Sequence, residues 1–278
     1  MRCEWKEFLA ILPSRFRQDV DTLGKDTLQE LRLRLNAPPE LVLTGGSRWL
    51  SGEVTRDDLK FCVNTASRYS PWSAATVEQG YLTAPGGHRI GLCGDAVVKG
   101  GAMAGIREPS SLCIRVARDF PGIAKKAEHL TGSLLILGAP GWGKTTLLRD
   151  LIRLFSDQGE HIAVVDERGE LFPNCGDFHR GRCTDILTGC AKAEGIEMVL
   201  RSMAPECIAV DEITAKRDCD ALVHAGWCGV RLLATAHASS LRDLKGREVY
   251  RPLWETGLFT NVLVMRPDKS WRLERMDL

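Results

Sequence analysis

Residues Gly138 to Thr145, GAPGWGKT, fit G-x-x-x-x-G-K-[ST] at every position. The apolar run Leu134-Leu135-Ile136-Leu137 precedes them, and TTLLRDLIRLFSD, rich in helix formers, follows. A strand, a glycine-rich loop and a helix start in that order make a cradle for phosphate. Gly141 and Gly143 let backbone N–H groups close on oxygens that a Cβ would block. The helix N-terminus adds partial positive charge. Lys144 would reach the β- and γ-phosphates, and the Thr145 hydroxyl would hold Mg²⁺. Gly138, Ala139, Pro140, Gly141, Trp142, Gly143, Lys144, Thr145 and Thr146 are therefore the candidate nucleotide contacts. The plain alternative is an ordinary strand-to-helix loop, which the flanking strand and helix disfavour. Trp142 is bulky at a free position and suits packing either beside the nucleotide or against a neighbouring subunit.

Phosphoryl chemistry also needs carboxylates. Cys207-Ile208-Ala209-Val210-Asp211-Glu212 is an apolar strand delivering two acids at its C-terminal end, where ligands of open α/β sheets collect. Asp211 suits the Mg²⁺ shell and Glu212 the orientation of water. Acids also cap helices after strands; the phosphate loop in the same sheet favours the catalytic reading. Val164-Val165-Asp166-Glu167-Arg168 is a second strand ending in acids. Glu167 would help place the attacking water or the metal, and Arg168 would pair with an acid or a phosphate; a structural ion pair is the other reading. His237 ends the strand Leu232 to Ala236, where a γ-phosphate would lie, so it reads as a sensor more than as a satisfied surface histidine.

These side chains need a frame. Residues 1–30 read as helical around Phe8, Leu9, Leu12 and Phe16; LQELRLRL alternates as a half-buried strand; ELVL, TGGS and TRDDLKFCVNTASRYS follow as strand, reversal and N-capped helix. GYLTAPGGHRIGLCGDAVV gives two strands around a glycine-rich turn, and SSLCIRVAR another before the DFPGIA break. The pattern then changes to short, nearly all-apolar strands alternating with helices, the mark of a parallel sheet covered on both faces. The expected organisation is a small α+β domain over 1–122 and an α/β nucleotide-binding domain over 123–278.

Composition is ordinary for a folded chain of 278 residues, at 44% hydrophobic and 26% charged. A net charge of +1 gives no strong pull toward nucleic acid or anionic lipid. No apolar stretch approaches the roughly 20 residues that span a bilayer. MRCEWKEFLAILPSRF reads as an amphipathic helix rather than a signal peptide, which predicts a cytoplasmic protein. The ten cysteines include no C-x-x-C pair. Cys93, Cys113 and Cys207 sit in apolar runs as small hydrophobes. Cys175, Cys183 and Cys190, near His179, match no standard zinc spacing, so reduced thiols and no structural metal are expected.

The order of phosphate loop, acidic strand VVDER, strand IAVDE and terminal histidine of LATAH resembles the type II/type IV secretion ATPase superfamily. Within it, LQELRLRL, GGHRIGLCG, SSLCIRVARDFPGIA, GAPGWGKTTLLRDLIR, VVDERGEL, KAEGIEMVLRSMAPECIAVDEI and LATAHASSL are similar to the stage III sporulation protein AA family. Trp142 and Trp227 are bulkier than that pattern, and 171–187 matches it loosely. The resemblance implies a RecA-like P-loop domain with a mostly parallel sheet, preceded by a smaller α+β domain. It also implies an ATP- and Mg²⁺-dependent motor, a hexameric homo-oligomer, peripheral at the membrane. Its partner would be a membrane protein of the channel joining mother cell and forespore, with no nucleic acid involved. Arginines of the smaller domain complete the site in such rings, and Arg89, Arg107 and Arg115 are the candidates. A RecA-like nucleic-acid-dependent ATPase is the alternative, and the lack of an aromatic-basic interleaved stretch counts against it.

Overall fold

The computed structural model describes residues 1–67, 80–173 and 178–276. Contacts divide them into two compact units, Met1–Asp119 with Pro173, and Phe120–Phe172 with Phe178 onward.

The first unit opens with two short helices, α1 (Trp5–Ile11) and α2 (Ser14–Leu23), broken at Pro13. Six antiparallel strands follow: β1 (Leu28–Arg34), β2 (Glu40–Leu43), β3 (Gly46–Trp49), β4 (Tyr81–Thr83), β5 (Arg89–Lys99) and β6 (Ala102–Arg115). Helix α3 (Arg56–Ser67) lies between β3 and β4 in the chain, and the sheet order is β3-β2-β1-β6-β5-β4. The alternation in LQELRLRL holds a period of two from Glu30 to Arg34, and a register shift between Leu28 and Glu30 lets Leu28 turn inward as well. Leu28, Leu31 and Leu33 are buried against Phe8, Ile11, Leu12 and Phe16 of the helices, while Glu30, Arg32 and Arg34 stay at the surface in ion pairs.

The second unit is built on β7 (Ser133–Leu137), β8 (Ile162–Asp166), β9 (Thr184–Thr188), β10 (Cys207–Ile213), β11 (Arg231–Ala236), β12 (Phe259–Met265) and β13 (Trp271–Arg275). Their order is β13-β12-β7-β11-β10-β8-β9, parallel throughout except for the β12–β13 pair. Helix α4 (Lys144–Asp157) covers one face, and α5 (Lys192–Ser202) with α6 (Lys216–Trp227) the other. Two short helices, α7 (Leu241–Lys245) and α8 (Arg251–Glu255), lie between β11 and β12 in the chain. SLLIL shows why the strands are all apolar. Leu134 and Ile136 pack with Leu147, Leu148, Leu151 and Phe155 of α4. Leu135 and Leu137 point the other way, into the cluster of Ile196, Cys219, Leu222 and Ala225. Each such side chain removed from water contributes about 1.5–3 kcal/mol, so a polar residue on either face would be felt. The chain is thus an α/β RecA-like domain with a mostly parallel sheet, preceded by a smaller α+β domain.

Strand order brings the site together. Strand β11 lies between β7, which delivers the phosphate loop, and β10, which delivers the two acids. Among the described residues, no helix is long and apolar enough to cross a membrane.

Candidate functional site

The phosphate loop turns where its glycines allow. Gly141 and Gly143 adopt φ of 78° and 93°, left-handed conformations that side chains disfavour, and Gly143 leads directly into α4. Gly138 is required for a different reason: a Cβ there would lie 2.9 Å from Cβ of Met265 on β12. The loop thus ends at the N-terminus of a helix of 14 residues, the end of a helix that favours anions. Trp142 is half-buried against the α4-side core.

Lys144 is almost wholly buried at 6% exposure. Its ammonium donates to the Ala139 carbonyl at 3.1 Å and faces Nδ1 of His237 at 3.1 Å. Burial lowers its pKa, against the pull of Asp211 and Glu212. An ammonium only donates, so His237 Nδ1 must accept and the ring proton sits on Nε2. That Nε2–H donates to Oε1 of Glu212 at 2.7 Å. Burial raises the Glu212 carboxyl, but the His237 hydrogen bond and the nearby charges of Arg168 and Lys144 bring it below the usual range. Arg168 reaches its other oxygen at 3.4 Å. Lys144, His237 and Glu212 thus form one chain of polar contacts.

Beside it, the Thr145 hydroxyl donates to Asp211 Oδ2 at 2.7 Å. A hydroxyl and a carboxylate in contact at the first turn of the helix after the loop are a hard-oxygen donor pair of the kind Mg²⁺ takes. Lys144, Thr145, Asp211, Glu212 and His237, drawn from three separate stretches of sequence, therefore meet at the C-terminal ends of β7, β10 and β11.

Glu167 is placed differently. Its carboxylate pairs with the buried ammonium of Lys192 on α5 at 2.5 Å. Asp166 is buried, and its oxygens accept the main-chain N–H groups of Glu170, Leu171 and Phe172 at 2.9, 2.9 and 3.0 Å. Burial pushes its pKa up to about 6 despite those donors. The acid-ended strand VVDER thus anchors the following turn through Asp166 and α5 through Glu167. Ala139, Pro140 and Thr146 lie in or next to the loop, and Thr146 is half-buried. Arg89 is on β5 of the first domain, its guanidinium 4.3 Å from the Tyr81 ring centroid, in register with Arg115, which pairs with Glu30 at 3.1 Å. Arg107 is exposed on β6.

Sequence reasoning missed three polar residues. The Thr235 hydroxyl donates to Asp211 Oδ1 at 2.5 Å and accepts the Glu212 N–H at 2.8 Å. Its signal was a hydroxyl in an otherwise apolar buried strand, where it must find partners. Lys192 carried no signal beyond being a helix-forming cation. Arg149 is buried under the loop 170–171, donating to the carbonyls of Glu170 and Leu171. Among the cysteines, Cys207 is buried and its thiol pushed far up, and Cys113 is half-buried with its thiol also raised, both by burial. Cys93 is exposed, contrary to its apolar run, because it lies on the edge-proximal β5 with its side chain outward. Cys175 lies outside the described residues, so its grouping with Cys183, Cys190 and His179 does too. No cluster of three or more His, Cys, Asp or Glu fit to hold a metal occurs among the described residues.

Solved structures of this fold include the pilus retraction motor PilT with bound ADP, with a TM-score of 0.63 at 14% identity over 92% of this chain and 79% of that one. The Legionella pneumophila ATPase DotB gives a TM-score of 0.56 at 17% identity, covering 94% and 79% of the two chains. At such identities the likeness speaks to the fold alone. Stage III sporulation protein AA of Bacillus subtilis (strain 168) is 35% identical over 281 residues, 95% of this chain and 92% of that protein. The family model for sporulation stage III, protein AA matches residues 4–272, and the chain belongs to that family.

Proposed function

We propose that this chain is a Mg²⁺-dependent ATPase that works as the motor of an oligomeric ring, recruited to a membrane by a protein of a sporulation channel complex. The observation that carries the reading is the meeting of Lys144, Thr145, Asp211, Glu212 and His237 around one glycine-rich loop. The loop N–H groups and Lys144 would hold the β- and γ-phosphates of ATP. Thr145 and Asp211 would hold Mg²⁺, which when bound neutralises phosphate charge. Glu212 would orient the attacking water, accepting its proton as the phosphorus–oxygen bond is broken. His237 would report on the γ-phosphate, because Lys144 cannot face both that phosphate and Nδ1 in the same way. Glu167, tied to Lys192, is the second candidate for placing water.

The family supports a role in sporulation, and the fold shared with PilT and DotB supports a motor. A hexamer and a peripheral membrane location belong to the same reading. The test is phosphate release per chain measured against protein concentration, alongside a mass measurement, with and without the candidate membrane partner. Specific activity should rise as the mass passes from monomer to ring. Turnover per chain that is constant while the protein remains monomeric, partner present, would overturn the motor-ring reading.

A further inference from the structure

The ladder between β10 and β11 is broken at the acids. Cys207 to Val210 pair residue for residue with Arg231 to Ala234, but the next pair is Ile213 with Ala236. Two residues, Asp211 and Glu212, therefore stand opposite Thr235 alone. This is a β-bulge in a parallel pair, where bulges are rare and re-aim side chains. Glu212 carries the distortion, with φ of 59°, a left-handed conformation that a non-glycine residue holds only when its surroundings impose it.

A bulge takes backbone groups out of the ladder, and here a side chain supplies the missing partner. The Thr235 hydroxyl accepts the Glu212 N–H at 2.8 Å. The same oxygen donates its proton to Asp211 Oδ1 at 2.5 Å, while Asp211 Oδ2 accepts from Thr145. Thr235 is fully buried, so no solvent is at hand to replace it. Ala234 and Ala236 point to the α5–α6 side of the sheet, and Leu233, with the parity of Thr235, points to the α4 side. That parity directs the hydroxyl to the face from which Thr145 approaches.

We propose that Thr235 is a positioning residue that holds the bulge and so aims both acids. One hydroxyl fixes Asp211 toward Thr145 and Glu212 toward His237, at the two places where metal and water would be handled. A β-branched apolar residue would fill the same volume and leave the Glu212 N–H and Asp211 Oδ1 without that partner. The inference goes deeper into the ATPase reading and rests on it for its kinetic consequence, though not for the bulge itself.

The test compares the full-length protein with Thr235→Val and Thr235→Ser. The first readout needs no nucleotide: amide hydrogen exchange of the segment around Glu212. The valine variant should lose protection at that amide, and the serine variant should keep it. The second readout is ATP turnover with its Mg²⁺ dependence, beside ATP affinity by calorimetry. Thr235→Val should lower kcat by about 10- to 100-fold, the loss of a buried charge-assisted hydrogen bond, and shift half-saturation to higher Mg²⁺. Its ATP affinity without Mg²⁺ should be unchanged, which also shows that the domain is folded, and Thr235→Ser should restore most of the turnover. Wild-type amide protection in Thr235→Val, or a folded Thr235→Ser as slow as valine, would overturn the proposal. A wild-type protein that binds no nucleotide would instead overturn the ATPase reading, and the exchange comparison would still decide the bulge.

Discussion

His88, in the GGHRIG turn of the first domain, is fully buried. Its Nε2 lies 3.0 Å from the Glu4 carbonyl, and its Nδ1 accepts the Ala117 N–H at 3.0 Å. A carbonyl and an N–H as the two ring partners fix one neutral tautomer. Protonation would set a second N–H against that of Ala117, inside a pocket closed by the edge contact with Phe8 at 5.1 Å. Burial draws the pKa from 6.5 to about 4, with Arg118 helping and the Glu4 carbonyl opposing. The folded state therefore binds the proton less readily than the unfolded chain. Stability is therefore complete above the unfolded pKa and is lost as pH falls toward the folded one. The full separation corresponds to about 3 kcal/mol, and between pH 7.5 and pH 5 the loss is about 2 kcal/mol. Urea unfolding of the wild type and of His88→Gln at those two pH values isolates this term, since titrations elsewhere cancel in the difference. Glutamine keeps a donor and an acceptor but does not titrate. The stability gap should shift by about 2 kcal/mol in favour of the variant at the lower pH. A gap that is the same at both values would mean that His88 does not couple folding to pH.

Asp166→Ala should destabilise the second domain by about 3 kcal/mol or more, because three main-chain N–H groups lose their buried acceptor; denaturant unfolding checks this, and a shift below about 1 kcal/mol contradicts it. Gly138→Ala should weaken nucleotide binding at least about tenfold, since its Cβ would press on the Cβ of Met265 and move the loop; wild-type affinity in calorimetry would show that the loop yields freely. Lys144→Ala should abolish ATP binding, and retained affinity would mean that the site lies elsewhere.

Much of the frame was legible because burial on two faces writes itself as uninterrupted apolar runs, as in SLLIL and HIAVV. The alternation of LQELRLRL was equally plain. Strand β9, Thr184–Thr188, was not. It pairs only with β8, its residues are half-exposed, and TDILT is too mixed to show a period. The pair β12 and β13 also gave no clear signal; β13 is an exposed edge strand whose role emerges only when it pairs with β12. In the site, Lys144, Thr145 and Asp211 were readable from a spacing that the chemistry dictates. Thr235 was not, because its task depends on a bulge that no local propensity encodes. Glu167 and Asp166 show the converse. Acids at a strand end look alike in sequence, and only tertiary partners reveal that Asp166 caps a turn and Glu167 holds Lys192.

On this reading the loop and its acids hydrolyse ATP. Phosphate release and ATP affinity, measured together for the wild type and Glu212→Gln, test it most directly. The wild type should turn over, and the variant should bind ATP equally well while hydrolysing it at least about 100-fold more slowly. Undiminished turnover in the variant, or a wild type that binds ATP with Mg²⁺ and never releases phosphate, would contradict it.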